Sequence, residues 1–299
     1  MTPAATAERA GSPAGTRNRG GRRRTRRRTP LVERAALAVA VLMVVIAVAG
    51  PLLAPHDPYA VDLSKALLPP SADHWFGTDA NGRDVLSRVL SGAQVTLPAT
   101  VIVIVVATLV GTLIGTVAAL GGKVVDEALM RVTDIGLSLP SIILALGLAA
   151  ALGAGLRSAV IALAATWWPG YARLVRTLVR DVKDAEYVDA ARTLGVSRTR
   201  LVFRHILPNA LNTLYVQTTL DVAAVMLVIS GLSFVGVGAQ VPSAEWGAMI
   251  AGAANNLTNG WWAVAFPGLA IMLTAISFNL VGDWLRVRND PTIRQGAGR

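Results

Sequence analysis

Long apolar runs separated by short charged segments are the dominant pattern along this chain. A helix rises about 1.5 Å per residue, so about 20 consecutive apolar residues cross the hydrocarbon core of a membrane. Four runs contain no ionisable residue, at residues 35–53, 95–120, 135–156 and 261–281. Two further runs carry charges, residues 158–178 near one end and residues 210–237 at Asp221. The pattern therefore predicts an all-α polytopic membrane protein with six transmembrane helices.

The distribution of lysine and arginine predicts how these helices are oriented. With six spans the two termini lie on the same side of the membrane, and 24 of the 28 lysines and arginines fall in tails and loops on that side. Short loops rich in these cations stay in the cytoplasm. We therefore expect both termini to be cytoplasmic.

The predicted spans divide the chain into five regions. Residues 1–30 are rich in Gly, Pro, Thr and Arg, cannot bury a core, and are expected to be a disordered basic cytoplasmic tail. Residues 31–54 are the first predicted transmembrane helix, and residues 55–94 are a predicted extracytoplasmic segment. Residues 95–285 are expected to form a core of five transmembrane helices with a cytoplasmic loop at residues 179–209. Residues 286–299 are expected to be a cytoplasmic C-terminal tail.

The composition excludes several kinds of chemistry. The chain has no cysteine, which excludes disulfides, iron–sulfur clusters and thiolate zinc sites built from its own residues. Its net charge of +10 is concentrated in an arginine-rich stretch before the first apolar run. Beside a membrane span, such a stretch suits anionic lipid headgroups, so we predict contact with the lipid bilayer and no nucleic-acid partner.

The cytoplasmic loop contains a short amphipathic helix at residues 184–194. Glu186 and Asp189 lie early in it, where carboxylates suit the helix dipole, and Gly195 can supply a left-handed stop. A helix of about ten residues is marginal in water without a packing partner. The pattern fits a docking surface for another protein and equally an ordinary connector folded against its own spans. The predicted apolar stripe consists of Tyr187, Ala190, Ala191 and Leu194.

Two other sets of polar residues could carry chemistry. His74 and Asp79 in the outer segment are two possible metal ligands, but His56 and His205 lack matching spacing, so no metal site is predicted. Asp221 is a lone carboxylate in the fifth predicted span and should face the helix bundle or an aqueous path. The sequence leaves open whether Asp221 is a satisfied structural group or a possible pathway-lining group.

The cytoplasmic loop resembles the signature of ATP-binding-cassette (ABC) importer permeases. In that signature Glu-Ala-Ala is followed after three residues by Gly, and after nine more by Ile, any residue, Leu and Pro. Asp189 replaces the glutamate here, and His205 occupies the isoleucine position with Ile206 beside it. The remaining matches are Ala190, Ala191, Gly195, Leu207 and Pro208.

Further motifs resemble the dipeptide, oligopeptide and nickel branch of these permeases. The first covers residues 74–84, with His-Trp-Phe-Gly-Thr-Asp followed by Gly-Arg-Asp. Others lie at residues 232–240, 246–247, 266–268 and 278–283. Several motifs in the right order are more specific than any one alone. The long outer segment and the late Gly-Asp pair suggest the second of the two sister permeases that such importers usually contain.

The resemblance implies a type I ABC importer permease fold in a prokaryotic plasma (inner) membrane, with a cytoplasmic coupling helix. The implied partners are a sister permease subunit, two ABC ATPase subunits and an extracytoplasmic solute-binding protein. ATP and Mg would be held by the ATPases, because this chain lacks the Gly-x-x-x-x-Gly-Lys-Ser/Thr phosphate loop, so we expect no bound cofactor and no enzyme activity. The implied ATPase-docking residues are Glu186, Tyr187, Asp189, Ala190, Ala191, Leu194 and Gly195. The implied end of the coupling loop is His205, Ile206, Leu207 and Pro208.

Peptides are the leading substrate on this resemblance, with nickel or another small solute behind them. A second function class is an ion-coupled secondary transporter or channel, which would need ionisable groups near mid-membrane and often has inverted internal repeats. The sequence has one such carboxylate and no evident repeat. A membrane scaffold that transports nothing is a third class, but it gives no reason for the ordered set of motifs.

Overall fold

A computed structural model describes residues 30–289, and the predicted N-terminal tail and the end of the C-terminal tail lie outside these residues. Within them the fold is helical, and its β pairing is one isolated bridge between Thr78 and Asp84. The long helices are α1 (Pro30–Leu53), α2 (Val85–Leu120), α3 (Lys123–Ser138), α4 (Ser141–Leu152), α5 (Leu156–Lys183), α8 (Leu207–Phe234) and α11 (Trp262–Asn289). The short helices are α6 (Glu186–Thr193), α7 (Arg198–Leu201), α9 (Trp246–Ala253) and α10 (Leu257–Gly260), with a π-helical segment at Val202–Ile206 and 3-10 turns at Leu63–Lys65 and Ala254–Asn256.

The helices confirm a membrane protein with several spans. Among the described residues, four helices are long and apolar enough to cross a membrane, and they lie in α1, α2, α8 and α11. Helices α3 and α4 together make a fifth candidate. Helix α5 is 28 residues long, but its last turns carry several arginines and it is less apolar than the other candidates.

The third predicted span is not one straight helix. It was expected at residues 135–156, but α3 and α4 meet at an angle of 85°. The break falls at Leu139, which is extended at φ −105° and ψ 145°, immediately before Pro140. Proline disfavours helical geometry in the residue before it and cannot donate a backbone hydrogen bond. The apolar pattern is therefore continuous while the helix is not.

The second span begins ten residues earlier than its apolar run predicts. Val85 and the residues after it were assigned to the predicted extracytoplasmic segment, but they are the first turns of α2. Asp84 is the N-cap of this helix, since its side chain accepts a hydrogen bond from the Ser87 backbone N–H. Val85 is fully buried, so this end of α2 belongs to the packed core.

Arg88, on the next turn of α2, fixes the outer segment to a second loop. Its guanidinium donates to the backbone carbonyl of Pro58 at 3.0 Å and to that of Ser243 at 3.0 Å. Buried carbonyls need such donors, because an unpaired one costs about 1–3 kcal/mol. Arg88 thus joins the segment before α2 to the loop that contains Ser243, which lies 155 residues farther along the chain than Arg88.

The glycine pair of α2 lets this helix approach α5 closely. A Cβ on Gly111 would lie 2.4 Å from the Cβ of Tyr171, and one on Gly115 would lie 2.5 Å from the carbonyl oxygen of Ala172. Real Cβ atoms essentially never come this near to another residue's heavy atoms. Glycine at both positions therefore allows the close approach of α2 and α5, as a Gly-x-x-x-Gly pattern does between membrane helices.

Candidate functional site

Helix α6 is a single short helix of eight residues that closes with a glycine turn. The Gly195 N–H donates to the carbonyl of Arg192 at 3.0 Å, and the Val196 N–H donates to that of Ala191 at 3.2 Å. These two bonds form a Schellman motif, which requires a left-handed residue. Gly195 has φ +76°, as predicted, and the space around its α-carbon is open.

The two sides of α6 differ sharply in exposure. Val188 is fully buried in an apolar cluster with residues of α5 and α8, and Ala191 is half-buried beside it. Tyr187 is 45% exposed and Leu194 is 84% exposed, and Ala190 is exposed on the same side. The predicted stripe is therefore not the face that packs on this chain. The packing face is centred on Val188, and most of the predicted stripe faces outward.

Polar contacts tie α6 to its neighbours. Arg192 donates to the Asp189 carboxylate at 2.7 Å and lies 3.5 Å from the carbonyl of Lys183 at the end of α5. The Tyr187 hydroxyl accepts from the side-chain amide of Asn209 at 3.1 Å, which connects α6 to the first turn of α8. Glu186 is exposed. A movement of α6 would thus be passed to α5 and α8.

The end of the predicted loop contributes to the same cluster. Ile206 is 1% exposed, whereas its neighbours His205 and Leu207 are half-buried. Pro208 is exposed in the first turn of α8, where a missing N–H costs nothing. The apolar contact expected at the position of His205 is therefore made by Ile206.

Cations near α6 also bind the end of α2. The Lys183 ammonium lies 3.4 Å from the carbonyl of Ala119, and the Arg198 guanidinium lies 3.0 Å from that of Leu120. These are among the last carbonyls of α2, which have no partner within their own helix. Local sequence patterns could not predict these contacts between the end of α2 and the residues around α6, because the partners are 64 and 78 positions apart.

An ion-pair cluster joins α3 to α5. Asp126 is 6% exposed and accepts hydrogen bonds from Arg176 and from Arg180, whose Nη2 lies 2.6 Å from Oδ2. A second pair joins Arg173 to Asp134 at 2.5 Å, but both side chains are more than half exposed. The arginines in the last turns of α5 thus have carboxylate partners on α3.

Asp221 is hydrogen-bonded within the helix bundle. Its Oδ1 accepts from the side-chain amide of Gln217 at 2.9 Å, and its Oδ2 lies 3.4 Å from the indole nitrogen of Trp167 on α5. The neighbouring hydroxyl of Thr218 donates to the carbonyl of Tyr215. Asp221 joins α5 and α8, and its role in a pathway stays a prediction.

A groove of about 790 Å³ runs between α2 and α8. Its walls are mostly apolar and include Val202 and Phe203 of the π-helical segment next to α7. Thr108, Thr112 and Thr116 recur every four residues and so lie along one face of α2. Thr218 and Thr219 of α8 also line the groove. No charged side chain lines it among the described residues.

In the folded chain, His56 and His74 lie beside each other although they are distant in the sequence. His56, His74 and Asp84 have one potential metal-binding atom each, and these atoms all lie within 4.8 Å of one another. His56 was predicted to lack a matching position for a metal site. That prediction is wrong, because the segment after α1 folds back onto the start of α2.

Comparison with known proteins identifies the family. Residues 111–295 match the family model described as binding-protein-dependent transport system inner membrane component, which is more than half of the chain. The chain belongs to this permease family. Residues 34–70 also match the N-terminal transmembrane domain of oligopeptide transport permease C. The dipeptide, oligopeptide and nickel resemblance found in the sequence is confirmed.

Curated relatives of this permease cover most of its length. It is 47% identical over 263 residues to the probable D,D-dipeptide transport system permease protein DdpC of Escherichia coli (strain K12), covering 88% of each chain. It is 39% identical to the dipeptide transport system permease protein DppC of Bacillus subtilis (strain 168), covering 87% of this chain and 82% of the relative. It is also 39% identical to the nickel transport system permease protein NikC of Escherichia coli (strain K12), covering 86% and 93%.

Solved structures support the fold of the permease. A chain of the inward-facing MetNI methionine ABC transporter superposes with a TM-score of 0.54 at 17% identity, covering 68% of this chain and 96% of that one. A chain of an amino acid ABC transporter superposes with the same score at 16% identity, covering 67% and 94%. The permease therefore shares the fold of ABC importer permeases.

Proposed function

We propose that this chain is one of two permease subunits in an ATP-driven importer of peptides or a related small solute, and that it docks an ATPase through α6. The observation that carries the proposal is the outward face of α6. Tyr187, Ala190 and Leu194 are apolar and exposed at the position of the family's docking signature. Exposed apolar residues grouped on one helix face suit a protein partner better than water.

The proposed topology has six spans, which are the five candidates described above and α5. Apart from Arg157 in the first turn, its arginines lie in its C-terminal half, where long side chains can reach the interface, and Asp126 neutralises part of their charge. Helices α3 and α4 form one broken span. This count places both termini and α6 in the cytoplasm and residues 55–94 outside, in a prokaryotic inner membrane, as the cation distribution predicts.

The groove between α2 and α8 is the proposed contribution of this subunit to the translocation pathway, completed by a sister permease. Its threonine hydroxyls can exchange hydrogen bonds with a passing solute. Amide groups of a peptide suit such a lining, whereas a bare divalent cation would need charged or imidazole ligands that the groove does not offer. This favours peptides over nickel as the substrate.

The remaining partners follow from the family. Two ATPase subunits would bind and hydrolyse ATP with Mg, and a solute-binding protein would deliver substrate to the outer side. Helix α6 would pass the closing movement of the ATPases to α5 and α8 through the contacts of Tyr187 and Arg192. No residue of this chain needs to perform covalent chemistry in that scheme.

The proposal is tested by introducing a cation on the outward face of α6. Ala190→Arg should abolish co-purification of the ATPase and ATP-driven uptake in proteoliposomes that contain the whole importer. Ala72→Arg is the matched control, since Ala72 is exposed in the segment between α1 and α2. Ala190 is preferable to Ala191, which is half-buried against its own chain.

The results separate the two function classes. Loss of ATPase association and uptake in Ala190→Arg, with both retained in Ala72→Arg, would support docking through α6. Normal association and uptake in Ala190→Arg would contradict it. An ion-coupled transporter would instead show uptake driven by an ion gradient with no ATPase present.

A further inference from the structure

A cluster of metal-binding side chains lies at the first turn of α2, away from α6 and the groove. His56 follows the end of α1, His74 lies in the connecting segment, and Asp84 is the N-cap of α2. The Nδ1 atom of His74 is 2.9 Å from the Asp84 Oδ1 atom, and the Nδ1 atom of His56 is 3.8 Å from the same oxygen. The two imidazole centroids are 4.7 Å apart.

These separations are close to those of a tetrahedral zinc site. Zinc binds histidine nitrogen and carboxylate oxygen at about 2.0–2.2 Å, so neighbouring ligand atoms in a tetrahedron lie about 3.3–3.5 Å apart. The observed distances of 2.9 and 3.8 Å lie on either side of that range. The three potential ligand atoms all lie within 4.8 Å of one another, so side-chain adjustments would bring them to bonding geometry.

The surrounding contacts hold the three groups in place. The second oxygen of Asp84 accepts hydrogen bonds from the Ser87 N–H at 2.8 Å and the Ser87 hydroxyl at 2.7 Å, which directs Oδ1 toward the histidines. The same hydroxyl accepts from the backbone N–H of His56 at 3.0 Å. Ligands oriented by such outer contacts are typical of protein metal sites.

The cluster is also reachable from solvent on one side. The side chain of Asp84 is 1% exposed and that of His74 is 9% exposed, whereas that of His56 is 44% exposed. An ion could enter past His56 and keep a water molecule in a fourth position. The burial of Asp84 is explained without an ion by its capping of α2 and its hydrogen bond to His74. Neither contact explains why the imidazole of His56 lies near the same carboxylate oxygen.

We propose that His56, His74 and Asp84 bind one divalent first-row transition metal ion, with Zn²⁺ the best fit. Two imidazoles and one carboxylate are donors that zinc accepts readily, and no thiolate is required. Metal binding at the His74 Nδ1 atom replaces its hydrogen bond to Asp84, and the coordinated imidazole then carries its proton on Nε2. The ion joins the end of α1 to the start of α2, and the inference does not depend on the proposed transport function.

The test is a Zn²⁺ titration of the full-length chain in detergent, purified with an affinity tag that contains no histidine. The protein is first treated with a chelator, and bound metal is then measured by elemental analysis and by competition with a chromophoric chelator. His205 is the remaining histidine of the chain and lies in the π-helical segment, so His205→Asn is a matched control.

We expect one Zn²⁺ per chain for the unaltered protein and for His205→Asn, and affinity at least about tenfold lower for His56→Asn and His74→Asn. His56 is partly exposed, so His56→Asn should fold, which a common melting temperature would establish. Cobalt should show the visible absorption of a tetrahedral site in the unaltered protein. The proposal is overturned if the unaltered chain retains no stoichiometric Zn²⁺, or if His56→Asn binds it as tightly as His205→Asn.

Discussion

Shortening Leu194 to alanine tests whether the exposed side of α6 is a docking surface. Leu194 is 84% exposed in this subunit, so its side chain contributes little to the stability of the permease alone. Each buried CH₂ group is worth about 0.8 kcal/mol, and Leu→Ala removes three carbons. If an ATPase covers this surface, the substitution should weaken association by about 2 kcal/mol, which is about 30-fold.

Val188→Ala provides the matched substitution on the opposite side of the same helix. Val188 is fully buried against its own chain, with 0% of its surface accessible to solvent. Removing two carbons there should lower stability by about 2 kcal/mol, including the cavity that remains. We expect Val188→Ala to lower the melting temperature of the permease and Leu194→Ala to leave it unchanged.

The assay measures both quantities on the same preparations. Association is measured by titrating purified ATPase onto the permease pair in nanodiscs, and melting is followed by tryptophan fluorescence in the absence of ATPase. The reasoning is refuted if Leu194→Ala binds the ATPase within about threefold of the unaltered protein. It is equally refuted if Leu194→Ala lowers the melting temperature as much as Val188→Ala does.

Two further substitutions test the packing that supports α6. Gly115→Leu should lower the melting temperature sharply, because the new side chain meets the backbone of α5, whereas Gly147→Leu on α4 has open space and should not. Asp126→Asn should lower the free energy of unfolding by about 1–2 kcal/mol, because it removes the charged partner of two arginines of α5. The effect should be no larger than this because both arginines are partly exposed to solvent. Thermal melting checks both, and a melting temperature for Asp126→Asn equal to that of the unaltered protein would rule out a stabilising ion pair.

The positions of the helices could largely be predicted from the sequence, because the signal is local. Helix α8 begins three residues before its predicted start, and α11 begins one residue after. Gly195 was predicted to be left-handed from its place after an amphipathic run, and it has φ +76°. In each case the physical cause acts within a few residues along the chain.

Other features could not be predicted because they depend on contacts between distant segments. The periodicity of α6 marked Tyr187 and Leu194 as one stripe, but it could not show that Val188 meets the buried cluster. Spacing along the chain could not show that His56 lies beside Asp84, because the contact forms only when the segment after α1 folds back onto α2. The proline at 140 was visible in the sequence, yet the uninterrupted apolar run concealed its effect on the third span.

The structure also bears on the choice between an ATP-driven importer and an ion-coupled transporter. Ion coupling needs an ionisable group that is free to bind or release a cation within the membrane. Asp221 is the carboxylate placed there, and Gln217 and Trp167 already hydrogen-bond both of its oxygens. The groove offers hydroxyls and no charged side chain among the described residues. The energy for transport would then have to enter at the surface of the protein, and the exposed apolar face of α6 is where a partner can deliver it.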